Sequence, residues 1–396
     1  MIKTTNGFWF QPRKALSIAV TICVICLLGG CHGESVRVDA EQAELKKVNL
    51  QEIPGWREDN FADVVGVFSA NCKRVLLVKG EYLSDADIKI AAAPYQKICN
   101  RFANKKITSS DAMRSFIEDE FDVYAVSDGG NDSGKITSYY EAVIHASFKK
   151  HGKYKYPVYG KPHDLVEINL RDFDAELPNT RLVGRVDNGK FVPYFNRGEI
   201  ENNGIKAPVL MWGDDLVDIH FMQIQGSALA YMDDGTEVRI GYADNNGHKF
   251  RGIGSILLEK KLLKPGEASM PKIREWLRNN PQQAKMIMAE NKRFIFQRIN
   301  NASGPLGALG VPLTAGRSLA VDNRYIPLGA MMWLDTYNPD KEKIRKIVFA
   351  QDIGGAIKGV VRGDYFWGHG EKALQEAGRM NSVGKYYIFV PKDKVN

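Results

Sequence analysis

The pattern of apolar and polar positions changes three times along the chain. Ala15–Gly30 is an unbroken apolar run behind the basic stretch Met1–Lys14. Its length falls short of the ~20 residues that span a bilayer and suits the core of a secretory signal. His32–Leu50 is polar and charged and reads as a tether. Apolar residues then recur at helical spacing over Gly55–Lys79, Ser84–Phe102 and Ser109–Phe121. Ser84 and Asp87 read as a capping pair for the second helix, which Pro94 disturbs. After Gly134 the period shortens. Short alternating runs are separated by Asp187-Asn188-Gly189, Asn202-Asn203-Gly204, Asp233-Asp234-Gly235 and Asn245-Asn246-Gly247. This predicts an all-β region, closed into a barrel rather than left flat. A helical pair interrupts it, Ser269–Arg278 and Pro281–Asn291, with Asn280 as cap and Pro281 at the first helical position. Strands return at Ser318–Val321, Ile347–Ala350 and Tyr386–Val390, and one helix, Glu371–Ala377, stops at Gly378. The class is mainly β with helices, α+β.

Composition narrows the possibilities. The 396 residues are 44% hydrophobic and 26% charged, which excludes a disordered chain, a coiled coil and a polytopic membrane protein. The formal charge is +7, and Lys3, Arg13 and Lys14 precede the first acidic residue, Glu34. Without those three about +4 remains, too little for a dedicated nucleic-acid binder. Leu28-Gly29-Gly30-Cys31 resembles a bacterial lipobox, with Cys31 as the lipidated thiol. An uncleaved N-terminal anchor is the other reading. Both place the protein in the cell envelope, and His32 after the cysteine favours an outer-membrane lipoprotein facing the periplasm. Cys72 and Cys99 remain in the mature chain, either paired or as two buried thiols. The seven histidines are scattered without ligand spacing, so no metal site is expected.

The densest chemistry lies between Ala350 and Gly370, where Asp352 and Asp364 flank a glycine-rich turn and Asp322 ends an earlier strand. Asp364 precedes Tyr365, Phe366 and Trp367; aromatic packing strips water from a carboxyl and raises its pKa, as a general acid requires. Lys358 and Arg362 pull the other way. Asp352, before Ile353-Gly354-Gly355, is most simply a turn former or hydrogen-bond acceptor. Thr137-Ser138-Tyr139-Tyr140-Glu141 puts two tyrosines on opposite faces of a strand, one buried and one exposed, and Gln223-Ile224-Gln225-Gly226-Ser227 sets amides beside a tight turn. Such groups suit sugar binding, and strand packing explains them about as well.

These segments recur together in one family. The Thr137–Glu141 segment, Gln225-Gly226-Ser227, Asn246-Gly247 with Gly252-Ile253-Gly254, Ser269-Met270, Ser318–Asp322 with Ile326–Gly329, and the Asp352–Asp364 block with Ala377-Gly378-Arg379 are similar to the membrane-bound lytic murein transglycosylase A family. The similarity runs from about Pro54 to Pro391. The chain departs from the usual motif at Ser138, Ala142 and Ala228, where Gly, Pro and Gly are common.

The resemblance implies a double-psi β-barrel catalytic domain with a second, inserted β-barrel domain and a groove between them. Residues 1–30 would be the signal peptide, 31–50 the lipidated tether, 51–141 and 294–396 the catalytic domain with its N-terminal helices, and 142–293 the substrate domain. It implies Asp364 as the catalytic residue, with Asp352 and Asp322 supporting it or completing turns at the barrel floor. Substrate contacts would come from Thr137, Tyr139 and Tyr140, from Gln225, Gly226 and Ser227, and from Gly354, Gly355, Ala356 and Lys358. The expected activity is a glycan lyase reaction on peptidoglycan that leaves 1,6-anhydro-N-acetylmuramic acid ends and needs no cofactor. Expected partners are glycan strands, the membrane through the lipid on Cys31, and cell-wall synthesis or remodelling proteins. An inverting hydrolase on the same barrel and a non-catalytic wall-binding lipoprotein stay open as alternatives.

Overall fold

The computed structural model describes residues 42–392; the signal, Cys31 and most of the expected tether lie outside the described residues. The chain opens with strand β1 (Ala43–Val48), followed by helices α1 (Ala62–Val75), α2 (Ala92–Asn104) and α3 (Ser110–Glu120) and strands β2 (Phe121–Asp128) and β3 (Gly134–Ser147). Next come β4 (Tyr156–Tyr159), β5 (Val166–Asn169), β6 (Arg181–Asp187), β7 (Lys190–Pro193), α4 (Arg197–Asn203), β8 (Val209–Gly213), α5 (Leu216–Gln225), β9 (Ser227–Met232) and β10 (Glu237–Asn245). Helices α6 (Ile253–Glu259), α7 (Met270–Asn279) and α8 (Pro281–Ala289) lead into β11 (Ile295–Asn300). The last part holds β12 (Ser318–Val321), β13 (Met331–Tyr337), β14 (Lys343–Ile353), β15 (Gly363–His369), α9 (Gly370–Arg379) and β16 (Asn381–Pro391).

Six of these strands close a ring in the order β3, β15, β12, β14, β13, β16 and back to β3. The pairs β3–β15 and β12–β14 are parallel and the other four antiparallel, which makes the ring a double-psi β-barrel. Closure leaves no open edge among the six. The long strand β3 also builds the second barrel. Its residues 136–141 pair with β15, and from Ala142 to Ala146 it pairs with β9. The second ring continues through β10 and β11, and through β8 and β4 on the other side, with a Gly160–Gln297 bridge joining the ends. Because β11 pairs with β10, the chain's return to the first barrel falls after Asn300, not at 293/294.

Local signals hold where the partners are close in sequence. Ser109 caps α3 by accepting the Ala112 N–H at 3.2 Å. Asn188 and Gly189 take positive φ at the β6–β7 turn, and Gly235 does the same between β9 and β10. Other expectations shift. Residues 43–48 of the expected tether form β1, because β2 offers a free backbone edge to pair with. The first helix begins at Ala62 rather than Gly55, since Gly55 turns with φ +73° and Trp56 is buried, donating to Glu118 Oε1 at 2.7 Å. The second begins at Ala92: Asp87 and Ile88 give their N–H groups to the carbonyls of Arg324 and Tyr325 instead of starting a helix. Pro94 therefore lies in the first turn, where its missing N–H is harmless. Asn202-Asn203-Gly204 ends α4 rather than making a hairpin. Gly378 lies inside α9, where a Cβ would come 2.6 Å from Pro271 Cδ; the glycine lets α9 pack against α7.

The three N-terminal helices pack on the first barrel around Phe68, which is fully buried and touches the rings of Tyr95, Phe102, Phe116, Phe121 and Phe349. Cys72 of α1 and Cys99 of α2 form a disulfide. Restricting the unfolded chain by a cross-link of this span stabilises by roughly 2–4 kcal/mol. The Cys72→Ala/Cys99→Ala variant is accordingly expected to unfold at lower urea concentration by that amount, with reductant having no further effect on it.

Candidate active site

Asp364 lies on β15, between the buried Gly363 and the buried Tyr365. Strand alternation turns Tyr365 into the barrel core and Asp364 outward into a cleft. In the parallel β3–β15 register Asp364 is paired with Thr137, and the threonine hydroxyl donates to Asp364 Oδ1. Thr137 Oγ1 in turn accepts from Arg362 Nη2 at 2.7 Å. The guanidinium thus commits the single hydroxyl hydrogen to the carboxyl. Burial raises the Asp364 pKa to about 6; the Thr137 hydrogen bond and the Arg362 charge oppose it, and Asp352 adds to it.

Asp352, at the end of β14, is held on both oxygens. Oδ1 accepts the backbone N–H groups of Ala308 at 3.0 Å and Ile353 at 2.9 Å, and Oδ2 accepts the Tyr139 hydroxyl at 2.9 Å. Burial also raises this carboxyl to about 6, against those three donors. Asp322 is different. It is fully buried outside the cleft lining, and its carboxylate accepts from the Arg324 guanidinium and from Gly359 N–H at 2.9 Å. Burial works to raise its pKa, but these donors hold it below the ordinary carboxylate value. Asp322 ties the chain after β12 to the loop before β15.

The cleft has a volume of about 640 Å³ and is lined from both barrels. Of the residues anticipated as substrate contacts, Tyr139, Gln225, Gly226, Ser227, Gly354, Gly355, Ala356 and Lys358 line it with Asp352 and Asp364. Thr137 reaches the cleft only through Asp364. Tyr140 does not line it: the strand period sends its ring into the second barrel's core, where its hydroxyl accepts from Arg274 Nη1 at 3.2 Å. Neither tyrosine is exposed, because Tyr139 packs on Phe366 with ring centroids 5.1 Å apart. Gln225 ends α5, its Oε1 accepting the Tyr140 N–H at 3.2 Å, and Gly226 follows at φ +85°. The cleft also takes in Tyr242, Phe250, Arg293, Arg298 and the Leu306–Ala308 loop. These residues are isolated in sequence, and no local signal marks them. Among the described residues no group of His, Cys, Asp and Glu could hold a metal, and no helix is long and apolar enough to cross a membrane.

Comparison with known proteins matches two regions of the chain. Residues 135–298 match the MltA specific insert domain, and residues 317–390 match the 3D domain. The crystal structure of MltA from Neisseria gonorrhoeae, in its monoclinic form, is 30% identical, covers 89% of this chain and 94% of its own, and superposes with a TM-score of 0.77. The chain belongs to the MltA family. The lytic transglycosylase LtgG of Burkholderia pseudomallei is 32% identical over 90% of this chain and 98% of its own, with a TM-score of 0.59. The membrane-bound lytic murein transglycosylase A of Escherichia coli K12 is 28% identical over 287 residues, 70% of each chain. Asp322, Asp352 and Asp364 all fall within the 3D match, and the insert match ends within β11.

Proposed function

We propose that this MltA-family protein is a peptidoglycan lytic transglycosylase in which Asp364 serves first as acid and then as base. The observation that carries this reading is the Asp364 carboxyl itself, in the inter-barrel cleft with a pKa raised to about 6 and one oxygen tied to Thr137. With Oδ1 accepting from Thr137, the proton resides on Oδ2. Asp364 gives that proton to the glycosidic oxygen between N-acetylmuramic acid and N-acetylglucosamine as the C1–O bond breaks. The carboxylate then takes the proton of the muramoyl C6 hydroxyl while O6 bonds to C1, leaving a 1,6-anhydro end and restoring the acid. A tethered nucleophile needs no positioned water and gains effective molarity.

The hydrolase alternative requires a second carboxylate to activate water. Asp352 is its natural candidate, but both its oxygens already accept from Tyr139, Ala308 and Ile353. Asp352, with Tyr139 donating to it, serves instead to shape the cleft floor, and its charge adds to the burial that raises the Asp364 pKa. The first barrel with its helices is the catalytic unit and the inserted barrel the substrate unit. Cys31 carries the lipid that holds the enzyme to the outer membrane, facing the periplasm, where cell-wall synthesis or remodelling proteins are its neighbours.

Mass analysis of muropeptides released from sacculi by residues 35–396 tests the reading. Anhydro ends support it; reducing ends point to hydrolysis, and no product to a wall-binding protein. The pH profile follows from the sign of the shift. The acid must be protonated, so kcat/KM falls as pH rises through about 6. Thr137→Val removes a donor that favours the carboxylate, so the alkaline limb moves upward, by about one pH unit for a bond of ~1.4 kcal/mol.

A further inference from the structure

One row of the inserted barrel that begins at the cleft-lining Ser227 takes no part in the proton transfers above. Ser227 on β9 is paired directly with Gly241 on β10, and Gly241 directly with Arg298 on β11. Directly paired residues project from the same face of a sheet. Ser227 and Arg298 both line the cleft. Their neighbours Ala228 and Ile240, paired with each other, belong to the barrel core. The row therefore faces the glycan cleft, with a hydroxyl at one end, a guanidinium at the other and bare backbone between. Two strand spacings separate the ends by about 10 Å. A Cβ built on Gly241 meets nothing within 4 Å, so the middle is open space rather than a packing contact.

Arg298 is exposed, and among the described residues no carboxylate pairs with it. Several other arginines of the insert are paired, Arg181 with Glu167 and Asp244, Arg239 with Glu141 and Arg274 with Asp218, and Arg171, which has no such pair among the described residues, does not line the cleft. Arg293, also in the cleft, already donates to the His248 carbonyl at 3.2 Å. A planar cation facing an open ledge with a hydroxyl opposite is complementary to a carboxylate, which accepts in bidentate fashion from guanidinium.

We propose that Ser227, Gly241 and Arg298 form a carboxylate-binding ledge that recognises an acidic group carried by the substrate's muramoyl lactyl substituent. The inference rests on the glycan reading of the cleft and adds what distinguishes an acidic wall glycan from a neutral one. Two sources supply such a carboxylate: the free lactyl acid of a peptide-stripped strand, and the acidic residues of a peptide attached to it.

Calorimetric titration of the catalytically silent Asp364→Asn protein separates these cases without turnover. The probes are peptide-stripped murein oligomers, peptide-bearing oligomers and N-acetylglucosamine oligomers of equal length. Arg298→Gln is expected to weaken the carboxylate-bearing probe by about tenfold, the loss expected for a hydrogen-bonded charge, and to leave the neutral oligomer unchanged. Arg298→Lys recovers part of the loss. Gly241→Val keeps the guanidinium but fills the ledge, and it weakens the same probe. A loss confined to stripped oligomers assigns the lactyl acid; a loss confined to peptide-bearing oligomers assigns the peptide. Equal weakening of charged and neutral probes, or no weakening of either, overturns the ledge. Wild-type cleavage to reducing rather than anhydro ends would overturn the lyase reading while leaving the ledge standing.

Discussion

Asp364→Asn is expected to lower turnover of peptidoglycan by about 10³-fold or more, because in the proposed mechanism one carboxyl supplies both proton transfers and each is worth roughly 10²–10⁴. The amide keeps the shape of the side chain, and its oxygen can still accept the Thr137 hydroxyl. The fold should therefore be retained. The stability sign separates a catalytic from a structural loss. A carboxyl whose pKa is raised to about 6 in the folded protein stabilises the fold fully only at acid pH, below its unfolded value, and that contribution is lost as pH rises through about 6. Above that pH the wild type holds a buried charge that the amide lacks. Thermal denaturation at pH 7.5 should find Asp364→Asn at least as stable as the wild type while muropeptide release is lost. An active variant, with anhydro products near the wild-type rate, would remove Asp364 from the mechanism.

Asp59→Ala is expected to destabilise the protein by roughly 3–5 kcal/mol without touching the cleft, because it strips the buried Arg317 of its hydrogen-bonded carboxylate and leaves only the exposed Asp63, 3.7 Å away. Asp59 precedes α1, and Arg317 precedes β12. The carboxylate accepts from Arg317 Nη1 at 2.6 Å and Nη2 at 2.7 Å, and from the Ile347 N–H at 2.9 Å. The guanidinium also donates to the carbonyls of Ile347 and Asn60. Both side chains are almost wholly buried, 4% and 3% exposed. Replacing both partners together by apolar residues of similar volume should restore much of the loss, since no orphan charge remains. Urea denaturation of Asp59→Ala and of the double replacement decides this; a single-variant loss below 1 kcal/mol would mean that water or Asp63 takes the place of Asp59 at Arg317.

The candidate acid was visible in the sequence as an aspartate after a glycine-rich turn, singled out by the family resemblance, but the ring of Tyr365 that follows it points into the barrel core rather than around it. The group that orients it was visible only as a motif. Thr137 lies 227 positions away and meets Asp364 through a parallel strand pair that no local pattern announces. Asp322, equally prominent as an aspartate ending a strand, proved to be a tie between loops, because Arg324 and Gly359 fold back onto it. Tyr140 differs from Tyr139 by one residue, and the strand period alone sends one to the cleft and the other to a core.

Much of the regular structure was written locally. The limits of β12, the cap of α3 and the turns after Asp187 and Asp233 follow from apolar period and from backbone preferences of Ser, Asn and Gly. What tertiary structure alone decided is where pairing partners come from. β1 became a strand because β2 had an open edge, and β11 stayed with the insert because β10 did. The cleft gathers Tyr242, Arg293 and Arg298 with Asp352 and Asp364 because two rings share β3. Dihedral preference and apolar spacing act over a few residues, whereas register across a closed barrel is set by all its strands at once.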